Sequence, residues 1–146
     1  MEKFIKNFLA ESAWISSNLD IKKIGLMVRQ IKICKKNKGR IFFLGVGGSA
    51  GNASHAVNDF RKIVGIEAYA PTDNVSELTA RTNDEGWSEI FVHWLRTSQL
   101  NHKDLIFIFS VGGGDIKKNI SVNLIKAINL AKKRKSKVLA IVGKKD

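Results

Sequence analysis

Twice in this chain an apolar segment runs directly into a loop rich in glycine and serine. Ile41–Leu44 precedes Gly45–Gly51, and Leu105–Phe109 precedes Ser110–Gly114. Short apolar runs that alternate with helical segments are typical of the buried strands of a doubly wound parallel α/β sheet. Because loops at the carboxyl ends of parallel strands meet at one edge of the sheet, we expect the two loops to share a crevice.

Both loops are suited to hold an anion. Glycines let the backbone approach a phosphate closely, and the N-terminus of the helix expected after each loop offers free N–H groups and a favourable dipole. Gly45–Ser49 has neither the Gly-x-Gly-x-x-Gly spacing of a dinucleotide site nor the Gly-Lys-Ser/Thr of a Walker loop. The sequence therefore favours a phosphorylated small molecule. Ser49 could bind that phosphate or only cap its helix, and the second loop could contact an anion or only form a tight turn.

Apolar residues recur at helical spacing over residues 2–17 and 20–36, so two helices are expected before the first strand. With Trp14 and several phenylalanines they carry more apolar surface than a small sheet needs, and part of it is expected to form a subunit interface. Residues 40–146 would form the α/β core of a single domain, 1–146. The further elements expected are a helix over 52–64, a strand within 66–70, a polar loop over 82–86, a helix over 88–99, a helix capped by Ser121 and a strand over 137–142.

The formal net charge is +12, which raises the alternative of a nucleic-acid partner. The lysine clusters contain no interleaved aromatic residues for base stacking and fall at expected helix ends, which favours a solvated surface instead. The opening segment is broken by charges before a long apolar run develops, so we expect no signal peptide, no membrane partner and a cytoplasmic location. The single cysteine, Cys34, is expected to be a packed thiol.

Two polar pairs could carry chemistry. His55 and Asp59 are four residues apart and share a helix face, where they could bind a divalent metal, transfer a proton beside a carbonyl, or form an ordinary surface pair. Asn83 and Asp84 fall in the expected polar loop, where turns also favour both residue types.

These residues together resemble a known family. Gly45-Val46-Gly47-Gly48-Ser49, His55, Asp59, the run from Asn83-Asp84 to Phe91, and Ser110-x-Gly112-Gly113 are similar to the sugar isomerase (SIS) domain of phosphoheptose isomerases. The resemblance covers essentially the whole chain. It implies a flavodoxin-like SIS fold, a homotetramer whose early helices form a bundle, active sites between subunits, and often a zinc ion.

The resemblance also implies roles for individual positions. Asp59 would be a zinc ligand with His55 and a catalytic proton-transfer group, and Asp84 would contribute to catalysis. Residues that would contact the sugar phosphate are Val46, Gly47, Gly48, Ser49, Asn83, Asp84, Ser110, Val111, Gly112 and, if 113–120 contains an insertion, Ser121.

The chain departs from the family pattern in four places. The second loop has lost serine hydroxyls and gained Asp115, Val46 replaces an asparagine, and Asp59 replaces a glutamate. The chain ends at Asp146, where the resemblance implies a further strand and a helix with a glutamine and a catalytic histidine. The function that the resemblance implies is aldose–ketose isomerisation of a sugar phosphate, sedoheptulose 7-phosphate to a heptose 7-phosphate. The alternative is a non-catalytic SIS module that binds a sugar phosphate.

Overall fold

The computed structural model describes residues 1–143, which form six α-helices and four β-strands. The chain divides into two compact units, Met1–Gln30 and a second that begins at Ile31. In chain order the elements are α1 (Glu2–Ser17), α2 (Ile21–Lys36), β1 (Ile41–Leu44), α3 (Gly48–Asp59), β2 (Ala68–Tyr69), α4 (Val75–Asp84), α5 (Ile90–Thr97), β3 (Leu105–Ser110), α6 (Val122–Lys133) and β4 (Lys137–Val142).

The four strands form one parallel sheet in the order β2-β1-β3-β4. Leu44, the last residue of β1, pairs with Ile108 of β3. The loops that follow these two strands therefore leave the same edge of the sheet side by side, as the sequence predicts.

Helices cover both faces of the sheet because alternate strand residues point to opposite sides. Phe42, Leu44, Ile106 and Ile108 pack in one core with the apolar sides of α5 and α6. On the other face Phe43 contacts Phe60, with ring centroids 5.0 Å apart. This arrangement confirms the prediction of a doubly wound parallel α/β fold preceded by two helices.

The helix after β1 starts earlier than its sequence suggests. It begins at Gly48 rather than near Asn52 and continues through a π-helical turn, Phe60–Val64, to a left-handed Gly65. Glycines lower the helix propensity of this first turn, but packing against the sheet overrides that preference. Ser49 consequently lies in the first turn of α3.

The segment after β2 also differs from expectation. The strand expected within 66–70 is Ala68–Tyr69. Helix α4, which the sequence did not predict, is capped by Asn74, whose Oδ1 accepts a hydrogen bond from Glu77 N–H at 3.1 Å. This helix extends to Asp84, and its last turns are stabilised by ion pairs of Arg81 with Glu77 and Glu85 at a spacing of four residues. The expectation that Asn83 and Asp84 lie in a loop is wrong: they occupy the last turn of α4.

Helix α1, described by itself, buries none of its residues. Phe4 and Phe8 are stacked on its surface with ring centroids 6.5 Å apart. No helix within residues 1–143 is long and apolar enough to cross a membrane.

Candidate functional site

A cavity of about 200 Å³ opens where β1 and β3 end. Segments far apart in sequence form its wall because the parallel register places their loops together. The lining residues are Val46, Ser49, Phe109, Ser110, Val111, Gly112, Gly113, Ile120, Ser121 and Leu124. We call this space the loop cavity. Of the predicted substrate-binding positions, Val46, Ser49, Ser110, Val111, Gly112 and Ser121 line it.

The first loop is shaped by two glycines. A Cβ on Gly45 would lie 2.3 Å from the Ser49 carbonyl oxygen, so only glycine permits this close approach of strand and helix. Gly47, the N-cap of α3, has a φ of 59°. Within residues 1–143 the N–H groups of Gly47 and Gly48 have no hydrogen-bond partner, whereas Ser49 N–H donates to Val46 O at 3.2 Å. Unpaired donors at a helix N-terminus are suited to an anion.

The second loop does not lead directly into a helix, contrary to expectation. Ten residues, 111–120, separate β3 from Ser121, and an antiparallel bridge joins Asp115 to Ile120. Ser121 occupies the N-cap position of α6 as predicted, but with a φ of 46° and no side-chain capping bond. Its hydroxyl is therefore not committed to the helix. Ser110 Oγ donates to Gly113 O at 3.2 Å, which stabilises the turn at the cavity wall.

The carboxylate of Asp115 is held within its own turn. Its Oδ1 accepts a hydrogen bond from Lys118 N–H at 3.1 Å, and its Oδ2 lies 3.9 Å from Lys118 Nζ. None of the residues that line the loop cavity carries a charged side chain. Serine hydroxyls and backbone groups are thus the polar surface that the cavity offers.

His55 and Asp59 lie together on an exposed face of α3. His55 Nε2 is 3.3 Å from Asp59 Oδ2, with side chains 78% and 42% exposed. A nitrogen and a carboxylate oxygen are donors that zinc accepts, but zinc sites normally have three or four protein ligands. No group of three or more His, Cys, Asp or Glu side chains that could hold a metal occurs among residues 1–143.

Asn83 and Asp84 form a local pair at the end of α4. Asn83 Nδ2 donates to Asp84 Oδ1 at 2.8 Å, and both residues are exposed. Neither they nor His55, Asp59, Gly47 and Gly48 are among the residues that line the loop cavity.

A second cavity, of about 380 Å³, was not anticipated. It lies beside the edge strand β2, where the Arg61 guanidinium stands 5.5 Å from the centre of the Tyr69 ring. Trp94 of α5 forms part of the same wall. These residues come from separate elements, and no local spacing in the sequence connects them.

Lys126 is another residue that the sequence did not single out. Its Nζ contacts Glu89 Oε1 and lies 3.0 Å from Ser88 Oγ, which ties α6 to the turn that precedes α5. The residues lie 37 and 38 positions apart in sequence, so only the packing of α6 against α5 brings them together.

Cys34 is 4% exposed, and burial raises the pKa of its thiol to about 11. The prediction that it is a packed thiol is confirmed. A thiol with this pKa is almost entirely protonated near neutral pH and is a poor nucleophile.

The comparisons with known proteins agree with this geometry. The family model described as the SIS domain matches residues 7–143. The phosphoheptose isomerase of Thermodesulfovibrio yellowstonii is 32% identical, over 99% of this chain and 73% of that protein. The lincomycin biosynthesis protein LmbN of Streptomyces lincolnensis is 28% identical, over 95% of this chain and 52% of that protein.

Solved structures show the same fold. Phosphoheptose isomerase GmhA from Neisseria gonorrhoeae superposes with a TM-score of 0.85 at 26% identity, covering 97% of this chain and 74% of that one. A phosphoheptose isomerase from Francisella tularensis, at 21% identity and a TM-score of 0.82, supports the fold alone. The glycine loops, the parallel sheet and these relatives together show that the chain belongs to the SIS-domain family, among the phosphoheptose isomerases.

Proposed function

We propose that this chain binds a phosphorylated sugar in the loop cavity. The observation that carries the proposal is the meeting of Ser49, Ser110 and Ser121 in one wall, although they lie on separate segments of the chain. The hydroxyls of Ser49 and Ser121 can donate to phosphate oxygens, and so can the free N–H groups of Gly47 and Gly48, which lie between Val46 and Ser49 of the wall in sequence. Its relatives from Thermodesulfovibrio yellowstonii and Neisseria gonorrhoeae are phosphoheptose isomerases, which supports the same substrate class.

The reaction that we propose is aldose–ketose isomerisation of the phosphoheptose isomerase type, which converts sedoheptulose 7-phosphate to a heptose 7-phosphate. In such a reaction a base removes a proton from the carbon beside the carbonyl and an acid protonates the neighbouring oxygen. Asp59 and Asp84 are the proposed proton-transfer groups. Asn83, whose amide is held by Asp84, would contact the substrate beside it.

His55 and Asp59 would also hold a zinc ion, if this chain uses one. Their donor types fit, and the 3.3 Å separation of Nε2 and Oδ2 places both on one helix face. Zinc would polarise the substrate carbonyl. The two side chains supply part of a zinc coordination shell, so further ligands would have to come from elsewhere.

The alternative is a non-catalytic module that binds a sugar phosphate. It is favoured because the proposed binding and catalytic groups do not share one cavity wall. Three proposed binding groups are serine side chains in that wall, whereas the proposed catalytic residues Asp59 and Asp84 do not line it. A binding function requires only the cavity.

Calorimetric titration and a turnover assay, both with sedoheptulose 7-phosphate, would test the proposal. We expect saturable binding that is weakened about tenfold in Ser49→Ala, because a hydrogen bond to a charged group is lost. The matched control is Ser76→Ala, on the exposed surface of α4, which should bind as the unaltered chain does.

Turnover that disappears in Asp59→Asn while binding persists would support the isomerase. Binding without turnover would favour the module. Equal affinity for unphosphorylated sedoheptulose would contradict phosphate recognition at this site.

A further inference from the structure

The second loop extends well beyond the cavity wall. Its two ends line the loop cavity, at Val111–Gly113 and at Ile120, while Ile116–Asn119 at its turn are exposed. The bridge between Asp115 and Ile120 is closed by two backbone hydrogen bonds of 3.0 and 2.8 Å. We call residues 111–120 the tip loop. Its turn, residues 116–119, is therefore a small preformed unit attached at the cavity rim.

The turn carries the positive charge that the cavity lacks. Lys117 and Lys118 stand at its exposed end, and the Lys118 side chain is 75% exposed. Asp115 partly neutralises Lys118 across 3.9 Å, so the tip loop keeps a net charge of +1 from two lysines and one aspartate. The cavity below it is lined without charged side chains, although a sugar phosphate carries up to two negative charges.

The tip loop also exposes apolar side chains to solvent. Val111 is 80% exposed, Ile116 67% and Ile120 44%. Removing apolar side chains of this size from water lowers the free energy of the protein. A bound ligand beneath the loop would allow these side chains to be covered.

Both ends of the tip loop have a backbone suited to pivoting. One end holds Gly112, where an added Cβ would meet no atom within 4 Å, and Gly113, whose φ is 68°, whereas Gly114 is packed against Ile125. At the other end Asn119 and Ser121 hold left-handed conformations, with φ of 55° and 46°. Residues held in such sparsely populated conformations cluster at ligand clamps and switch regions.

We propose that the tip loop closes over a phosphorylated ligand in the loop cavity and places Lys117 and Lys118 beside its phosphate. This inference rests on the proposed sugar-phosphate function and adds the charged partner that the cavity wall does not supply. Closure adds positive charge to a wall whose polar side chains are uncharged serine hydroxyls. Because lysine is a flexible point charge, it can reach the phosphate without a fixed geometry.

Affinity measurements test the role of the lysines. The double variant Lys117→Ala/Lys118→Ala should bind sedoheptulose 7-phosphate at least about fivefold more weakly, since two charge-assisted contacts are lost. The control Lys132→Ala/Lys133→Ala removes the same charge from the end of α6 and should change affinity less than twofold. Equal weakening in both double variants, or none in the first, would overturn the inference.

Limited proteolysis of the unaltered chain tests closure directly. Trypsin cleaves after lysine, and its rate at an exposed turn follows the population of the open form. Saturating sedoheptulose 7-phosphate should slow cleavage after Lys117 and Lys118 several-fold while leaving cleavage after Lys132–Lys135 unchanged.

The outcomes separate the two proposals. If the unaltered chain binds the ligand but cleavage of the turn is not slowed, closure is wrong and the proposed function stands. If the unaltered chain shows no saturable binding, both are wrong.

Discussion

At the scale of single residues, Asp104 holds the amino ends of two strands together. It is 2% exposed, and its carboxylate accepts hydrogen bonds from the Arg40 backbone and guanidinium and from Asn101 N–H. The hydrogen bond to Asp104 raises the pKa of Arg40. We expect Asp104→Ala to lower the free energy of unfolding by about 3–5 kcal/mol, measured by urea denaturation, because a partly buried guanidinium and two backbone donors lose their acceptor.

The control for that variant is Lys23→Ala. Lys23 Nζ lies 3.9 Å from Asp20 and its side chain is 81% exposed, so the free energy of unfolding should change by less than about 0.5 kcal/mol. A similar small change in Asp104→Ala would mean that water replaces its hydrogen bonds and that the ion pair does not stabilise the sheet.

At the scale of elements, two glycines near the junction of β1 with α3 should respond oppositely to replacement by alanine: one variant should lose stability and the other gain it. A Cβ on Gly45 would overlap the Ser49 carbonyl at 2.3 Å, so Gly45→Ala should destabilise the chain by about 1–3 kcal/mol and weaken ligand binding by displacing Ser49. Gly51 lies within α3, and an added Cβ would meet nothing within 4 Å. Gly51→Ala should therefore stabilise the chain by up to about 1 kcal/mol.

Urea unfolding of both variants checks the sign of each change. Both variants replace glycine by alanine near the same junction. A difference between them therefore reflects the position of the glycine and not the type of substitution. Equal stability of Gly45→Ala and the unaltered chain would show that the loop can shift without cost, and would contradict its role in placing Ser49.

At the scale of the whole molecule, we propose that the chain assembles into a homotetramer through its first two helices. Phe4 and Phe8 of α1 are 73% and 60% exposed, and Trp14 is 67% exposed. Exposed apolar surface of this extent is typical of an interface. Sedimentation velocity at micromolar concentration should show a tetramer, which Phe4→Ser/Phe8→Ser should dissociate.

The control Lys3→Ser/Lys6→Ser changes neighbouring positions on the same helix without removing apolar surface, and should leave the tetramer intact. A monomer in the unaltered chain would contradict the assembly, and with it the expectation that active sites lie between subunits.

Much of the fold is determined by local sequence patterns. Helical periodicity placed α1 and α2 to within a residue, and apolar runs placed β1, β3 and β4. The loops after β1 and β3 could be assigned to one sheet edge because parallel strands put their carboxyl ends together. These features depend on residues a few positions apart or on a general rule of topology, so a single sequence is sufficient for them.

Other features depend on a choice between alternative helix caps or helix ends, which a local sequence pattern does not distinguish. Asn74, Asp73 and Ser76 can all cap a helix, and in the fold it is the Asn74 side chain that accepts a hydrogen bond from Glu77 N–H. Helix α3 likewise begins at Gly48 despite its glycines, and α4 continues through Asn83 and Asp84. The sequence identified these residues as candidates but not the elements that carry them.

The sequence by itself determined the doubly wound fold, the SIS family and the residue types suited to a phosphate. The tertiary structure alone decided which of them meet: Ser49, Ser110 and Ser121 share a cavity wall, whereas Asp59 and Asp84 do not line it. The physical reason is that residue type and local spacing set the conformation of each segment. A shared wall depends on strand register and on the path of the tip loop, which are set by contacts between residues far apart in the chain.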